Sequence, residues 1–183
     1  MRLALVARRC RALAAAALVV TVASPLAGCG ITHVQDLNFR VDNRLHFDTP
    51  KDRSKVHLPL TISWHVKDFR IAAKGSEPPS DGAGYFAVFV DRQPIGPEQT
   101  LKAVADDRFC KRDPKCPDDA YLRDRQIYTT TSTTIHFDQI TNLNSHDKLQ
   151  LHTFVVVLMN TAGHRIGESA WELDLRIPKV GLS

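Results

Sequence analysis

The sequence contains none of the short motifs that commonly mark an active site. It has no Gly-x-Ser-x-Gly turn for a nucleophilic serine, no glycine-rich phosphate loop and no His-Glu-x-x-His pair for zinc. Ser169 lies in Gly-Glu-Ser-Ala-Trp, which lacks the second glycine, and Asp118-Asp119 resemble the acidic first turn of a short helix. We therefore expect no catalytic residue, no enzymatic activity and no cofactor.

Sulfur ligands are scarce as well, which bears on metal binding. Met159 is the only methionine after the first residue, and this counts against a thioether-rich copper site. The eight histidines keep an extracytoplasmic copper carrier as a less favoured alternative. His57 and His65 would lie about 26 Å apart on one strand, and His136 with His152 would need adjacent strands in register. We expect no metal site.

The first 29 residues have the three parts of an export signal. Four positive charges come first, at Arg2, Arg8, Arg9 and Arg11, and the apolar stretch from Ala12 to Ala23 follows. This stretch is shorter than the about 20 residues that span a bilayer. At Leu26-Ala27-Gly28-Cys29 the chain resembles a bacterial lipoprotein precursor, whose lipobox has this pattern. The resemblance implies cleavage of the signal peptide 1–28, lipid on Cys29 and attachment to the extracytoplasmic face of the cell membrane.

The chain that remains after removal of the signal peptide is expected to have no net charge. The signal holds four arginines and no acidic residue, so 20 basic and 20 acidic side chains are left. A neutral domain gives no electrostatic reason to bind nucleic acid. Residues 29–36 form a lipidated tether with a reach of at most about 25 Å, which keeps the domain near the bilayer, and 179–183 form a tail.

The chain has few cysteines, and export to an oxidising compartment limits which of them can pair. Cys10 leaves with the signal and Cys29 carries lipid, so Cys110 and Cys116 remain as a disulfide pair in an oxidising compartment. Such a bond would stabilise the domain by about 2 kcal/mol, mostly by constraining a local loop. A metal or redox pair is the alternative, and it is disfavoured by the five residues between the two thiols.

Alternation of apolar and polar residues predicts about seven strands between residues 37 and 178. The predicted strands cover 37–48, 55–66, 85–90, 127–130, 134–137, 151–159 and 166–177. Pro59 would place the second strand at a sheet edge or at a bulge. Residues 97–126 are the least strand-like and are predicted to be an insertion with a helical turn at 101–105.

The absence of a long amphipathic helix favours an all-β sandwich. Residues 37–178 resemble bacterial immunoglobulin-like or fibronectin-III-like domains, in which a strand such as His152 to Leu158, a Gly-containing turn, Arg165 to Ser169 and an alternating strand form the closing pair. The resemblance implies an immunoglobulin-like antiparallel β-sandwich of about seven strands. Unlike antibody domains, the chain has no cysteine pair to bridge the sheets.

Two of the predicted strands are apolar on both faces. If Phe86, Val88, Val90, Phe154, Val156 and Leu158 face the core, then Tyr85, Ala87, Phe89, Val155, Val157 and Met159 face outward. The opposite choice leaves a comparable apolar set outside. Strands of this kind are neighbours in a sheet that is covered on both sides. The expected cover is the insertion 97–126, in preference to another protein. Tyr85, Ala87, Phe89, Val155 and Val157 are the candidate binding residues, with a partner docked at the open flank of the insertion.

These observations predict a non-catalytic, lipid-anchored module that holds a protein partner close to the membrane. The alternative is a binding module for cell-envelope glycan. Glycan sites usually present exposed aromatic rings, and Trp64 and Trp171 both have core-facing parity. The remaining aromatic candidates are Tyr85, Phe89, Tyr121 and Tyr128.

Overall fold

The computed structural model describes residues 42–143 and 146–179. The signal peptide, Cys29, the tether and residues 37–41 of the first predicted strand lie outside the described residues, as do residues 180–183 of the tail. All of the described residues belong to one compact unit, Arg40–Ser183.

The described chain is mainly β, as predicted. In chain order the strands are β1 (Leu45–Thr49), β2 (Leu60–Val66), β3 (Arg70–Ile71), β4 (Ala83–Val90), β5 (Ile127–Thr130), β6 (Thr134–Phe137), β7 (Leu149–Asn160) and β8 (Trp171–Pro178). Between β4 and β5 lie a 3-10 helix (Leu101–Val104) and the helices α1 (Arg108–Arg112) and α2 (Asp119–Asp124). All three helical segments fall within residues 97–126. The short strand β3 was not predicted.

The strands form two sheets. One has the order β1-β2-β6, with antiparallel neighbours. The other has the order β3-β4-β7-β8, and β5 also pairs with β4. Strands β4 and β7 are antiparallel neighbours from Gly84 opposite Asn160 to Val90 opposite Phe154. The predicted adjacency of these two strands is therefore confirmed.

The main core lies between the two sheets and follows the alternation of the strands. On β2, Leu60, Ile62 and Trp64 are buried, whereas Thr61 and His65 face solvent. The larger sheet contributes the predicted inward set, Phe86, Val88, Val90, Phe154, Val156 and Leu158. Burial of this apolar set is the principal source of stability for a fold of short strands.

The edge assignment of the second strand is wrong. Strand β2 is the central strand of its sheet, between β1 and β6. Pro59 precedes the first residue of β2, so its missing N–H removes no hydrogen bond from the ladder. The irregularity in this sheet lies in β1, between Phe47 and Thr49.

Several strands begin at other residues than predicted, with β2 starting five residues late at Leu60, and β1 and β8 have visible local features at their starts. Within the described residues strand β1 starts at Leu45, and just before it the Asp42 carboxylate accepts the backbone N–H of Arg44 and turns the chain. Strand β8 starts at Trp171, five residues later than predicted. Gly167 has a φ of 62°, and the chain turns between Ile166 and β8.

Candidate functional site

The outer face of the five-stranded sheet carries a second core. It contains the predicted outward set from β4 and β7, Tyr85, Ala87, Phe89, Val155, Val157 and Met159, with Ile127 of β5. The side chains that cover it come from a neighbouring stretch of chain, at Ile95, Leu101, Val104 and Leu122, together with Ala170. We call residues 95–122 the covering segment. The expected cover of this face is thus provided by the chain itself.

This arrangement corrects the candidate binding face. Tyr85, Ala87, Phe89, Val155 and Val157 are only 0–5% exposed. The covering segment occupies the space that a partner would need, because an apolar sheet face is stable only when it is removed from water. The five side chains are therefore core residues, and a ligand could reach this sheet face only at the border of the covering segment.

Buried Arg165 fastens one end of the covering segment to the sheet. Its guanidinium donates to the carbonyl oxygens of Ile95, Glu168 and Ser169. Its backbone N–H donates to the carbonyl of Gln99 at 2.8 Å. Burial lowers the pKa of Arg165, and the three carbonyls accept hydrogen bonds from its two terminal nitrogens in place of water.

The other end of the covering segment is fixed around α2. The Asp118 carboxylate caps this helix by accepting the backbone N–H of Tyr121 at 2.8 Å, in agreement with the predicted acidic helix start. Asp106 accepts hydrogen bonds from the Tyr121 hydroxyl at 3.0 Å and the Arg125 guanidinium at 2.8 Å. These two donors lower the pKa of Asp106 to about 2. Leu122 then projects from α2 into the second core.

The disulfide predicted from the sequence is present in the covering segment. Cys110 of α1 is bonded to Cys116, and the loop between them turns where the Cys116 N–H donates to the Asp113 carbonyl. Lys115 and Pro117 next to this bond face a cavity. The disulfide loop therefore forms one wall of a site at the border of the covering segment.

A cleft of about 650 Å³ lies between the covering segment and the five-stranded sheet. Six stretches of chain line it, and their residues are Lys74, Tyr85, Thr100 to Lys102, Pro114 to Pro117 with Asp119 and Leu122, Thr129 to Thr131, and Ala162 with Gly163. The volume is within the range of cavities that bind small molecules. We call this cavity the cleft.

The loop that carries Lys74 is held by the turn between β7 and β8. The N–H of Gly75 donates to the carbonyl of Thr161 at 2.7 Å, and the buried Thr161 hydroxyl donates to the carbonyl of Glu77 at 2.9 Å. These bonds place Lys74 beside Gly163, whose φ of 89° suits a residue without a side chain. The cleft therefore has a defined wall on this side.

The charges and hydroxyls that line the cleft favour a polar, acidic ligand. Lys74, Lys102 and Lys115 are exposed, and none forms an ion pair with a described residue. Asp119 is the single carboxylate in the described lining. The threonines of β5 and the turn after it add hydroxyl groups that donate or accept hydrogen bonds. No histidine belongs to the lining that the structure describes.

A second depression of about 690 Å³ lies on the far side of α2 and β5. It contains Arg123, Asp124, His136 and Asp138, so groups of opposite charge are close together. His136 is already engaged with Asp138 at 3.2 Å. This depression lacks the excess of unpaired positive charge that distinguishes the cleft.

The aromatic candidates do not form an exposed surface on which a sugar ring could stack. Tyr85 and Phe89 are buried, and Tyr121 lies under the guanidinium of Arg125, 3.6 Å from its ring centre. Tyr128 is half-buried and packs edge-on against Phe137. Among these rings, Tyr85 alone lines the cleft.

The histidines with predicted strand positions are also separated. His136 lies on β6 and His152 on β7, in different sheets, so they cannot pair across adjacent strands. His152 is buried, and its Nδ1 lies 2.7 Å from the carboxylate of Asp91, a contact between residues that sequence reasoning did not connect. Within the described residues, no cluster of three or more His, Cys, Asp or Glu side chains is arranged to hold a metal ion.

Membrane contact was predicted through lipid on Cys29. The described part of the chain contains no helix with the length and apolar character needed to cross a membrane. Comparison with known proteins finds no matching family model, no similar curated protein and no similar solved structure.

Proposed function

We propose that this protein is a non-catalytic, lipid-anchored binding module on the extracytoplasmic face of the cell membrane, and that it binds a cell-envelope glycan in the cleft. The observation that carries this proposal is the cleft itself, a ligand-sized cavity walled by exposed lysines and threonine hydroxyls. A hydroxyl-rich ligand matches such walls because each sugar hydroxyl both donates and accepts a hydrogen bond. The lipobox and the short tether support a site close to the membrane.

The proposal includes an immunoglobulin-like β-sandwich as the scaffold. Two sheets that share a core, with β4, β7 and β8 as antiparallel neighbours, support it. The parallel pairing of β3 with β4 is a departure from a purely antiparallel sandwich. An experimental structure tests this part, since it would show whether the strand order and connections match those of that fold.

The binding proposal is tested with full-length lipidated protein in detergent micelles and insoluble cell-wall glycan. We expect the protein to sediment with the glycan and to be released by soluble fragments of it. Thr129→Trp places a bulky ring at the wall of the cleft and should abolish retention. Thr61→Trp is the matched control, because Thr61 is also an exposed strand threonine but lies on the other sheet. Equal retention of the two variants would exclude the cleft, and no retention of the unaltered protein would exclude glycan binding.

A protein partner is the second candidate, and one observation favours it. Leu149 and Leu151 continue the outer face of β7 beyond the covering segment, and they are 40% and 50% exposed. Two arginines, Arg53 and Arg176, and one carboxylate, Asp174, line the same depression as these leucines. A partner with an apolar side chain and a carboxylate would fit there. Leu151→Asp should abolish capture of a protein partner in membrane cross-linking while glycan retention stays unchanged.

A further inference from the structure

The hydroxyl of Tyr85 is a hydrogen-bonding group that the fold leaves unused. Tyr85 is 5% exposed, its ring belongs to the second core, and the residue also lines the cleft. Its hydroxyl forms no hydrogen bond with a residue that the structure describes. Burial raises the pKa of Tyr85 to about 12, so the hydroxyl keeps its proton at neutral pH and remains a donor. The residue lines the cleft, so a ligand atom there can accept a hydrogen bond from this hydroxyl in place of water.

The ammonium group of Lys74 lies next to this hydroxyl. The Tyr85 oxygen and the Lys74 Nζ are 3.5 Å and 3.6 Å from the point that a Cβ of residue 163 would occupy. Gly163 leaves that point empty, with a backbone φ of 89° that disfavours other residues. A neutral donor and a positive charge are therefore both close to one point at the wall of the cleft.

The surroundings strengthen the preference for negative charge. Lys102 and Lys115 add two positive groups to the lining of the cleft, against the single carboxylate of Asp119. Charge-assisted hydrogen bonds are the strong ones, and they strengthen further where water is partly excluded. A neutral sugar would leave the lysines without a counter-charge.

We propose that an acidic group of the ligand, a carboxylate or a phosphate, binds in the corner formed by Lys74, Tyr85 and Gly163. One oxygen of the group accepts from the Tyr85 hydroxyl, and another pairs with the Lys74 ammonium. The threonine hydroxyls and the other two lysines bind the rest of the ligand. This inference rests on the proposed function, because it specifies which glycans the cleft takes, namely acidic ones.

The test compares acidic probes with neutral counterparts that lack the acidic group. Isothermal titration calorimetry on the full-length protein in detergent micelles uses a glucuronate-containing tetrasaccharide and the same tetrasaccharide with its carboxyls reduced to alcohols. Glycerol 3-phosphate against glycerol forms the second pair and distinguishes phosphate from carboxylate. We expect at least one acidic probe to bind about ten-fold or more tightly than its neutral counterpart, since a charged hydrogen bond is replaced by a neutral one.

Two variants assign the preference to the corner. Tyr85→Phe removes one oxygen from a side chain whose ring is already packed, so it should fold normally, and Lys74→Met removes the charge from an exposed side chain. Each should reduce the preference for the acidic probe to about two-fold or less. Lys67→Met is the control, because Lys67 is an exposed lysine outside the lining of the cleft, and it should leave the preference unchanged.

The outcomes separate this inference from the proposed function. Equal binding of acidic and neutral probes overturns the acidic corner but leaves glycan binding intact. A preference that persists in both variants overturns the assignment to Lys74 and Tyr85. Failure of all four probes overturns the inference, and the cell-wall retention experiment then decides independently whether the cleft binds glycan.

Discussion

Leu122→Ala is the sharpest test of how the covering segment is held on the sheet. Leu122 is 4% exposed, and its side chain reaches from α2 into the second core. The substitution removes three carbon atoms, which is worth about 2.4 kcal/mol at about 0.8 kcal/mol for each buried methylene. The cavity left behind adds to this cost, so we expect a loss of about 3 kcal/mol in the free energy of unfolding, within the range of about 2–5 for such changes.

The matched control is Leu151→Ala, which has the same chemistry on an exposed side chain. Leu151 is 50% exposed, so the free energy of unfolding should change by no more than about 0.5 kcal/mol. Urea denaturation followed by tryptophan fluorescence measures the global effect, since Trp64 is buried in the main core. Hydrogen exchange measures local opening, which should appear in residues 95–122. If the two variants are indistinguishable in both measurements, the covering segment is not held by the second core.

Three further predictions concern other parts of the chain. Cys29→Ser should abolish lipidation, because the thiol is the acceptor, and a variant that still incorporates labelled palmitate would disprove the lipobox assignment. Reduction of Cys110–Cys116 should raise hydrogen exchange within 97–126 and leave the sheets protected, because the bond closes a short loop outside every strand; loss of protection throughout would contradict this. The Asp106 carboxylate, with its pKa lowered to about 2, stabilises the fold above about pH 4, and this contribution is lost as the pH falls through 2. In Arg125→Gln the NMR titration midpoint of Asp106 should move up toward 3.8, and an unchanged midpoint would exclude the proposed cause.

The burial of β4 and β7 on both faces was predictable from the sequence. Along these strands, successive side chains point to opposite faces, so an unbroken apolar run requires cover on both sides. The assignment of Phe86 to one face and Phe89 to the other follows from that period alone, and both are confirmed by their separate cores. The disulfide was predictable because two cysteines remained once the compartment had been inferred.

The cleft was not predictable, because its residues come from distant parts of the chain. Lys74 reaches it through a loop that is held by the backbone carbonyl and the side-chain hydroxyl of Thr161, and the loop groups that they bind are backbone atoms, which have no sequence signature. The role of Arg165 was not predictable for the same reason, because its partners are three carbonyl oxygens that any residues could supply. The late start of β8 had one visible signal, Gly167, in a stretch that otherwise reads as a strand.

The second core and the cleft share residues, so the packing of this core and the shape of the cleft depend on each other. Tyr85 contributes its ring to the second core and lines the cleft, and Leu122 also belongs to both. The same sheet face that needs cover therefore supplies the floor of the site, and the covering segment that buries it supplies a wall. The covering segment packs on the apolar sheet face because this packing removes the face from water. The cleft therefore lies at the border of the covering segment. A substitution in the second core will consequently alter the shape of the cleft even where it touches no ligand.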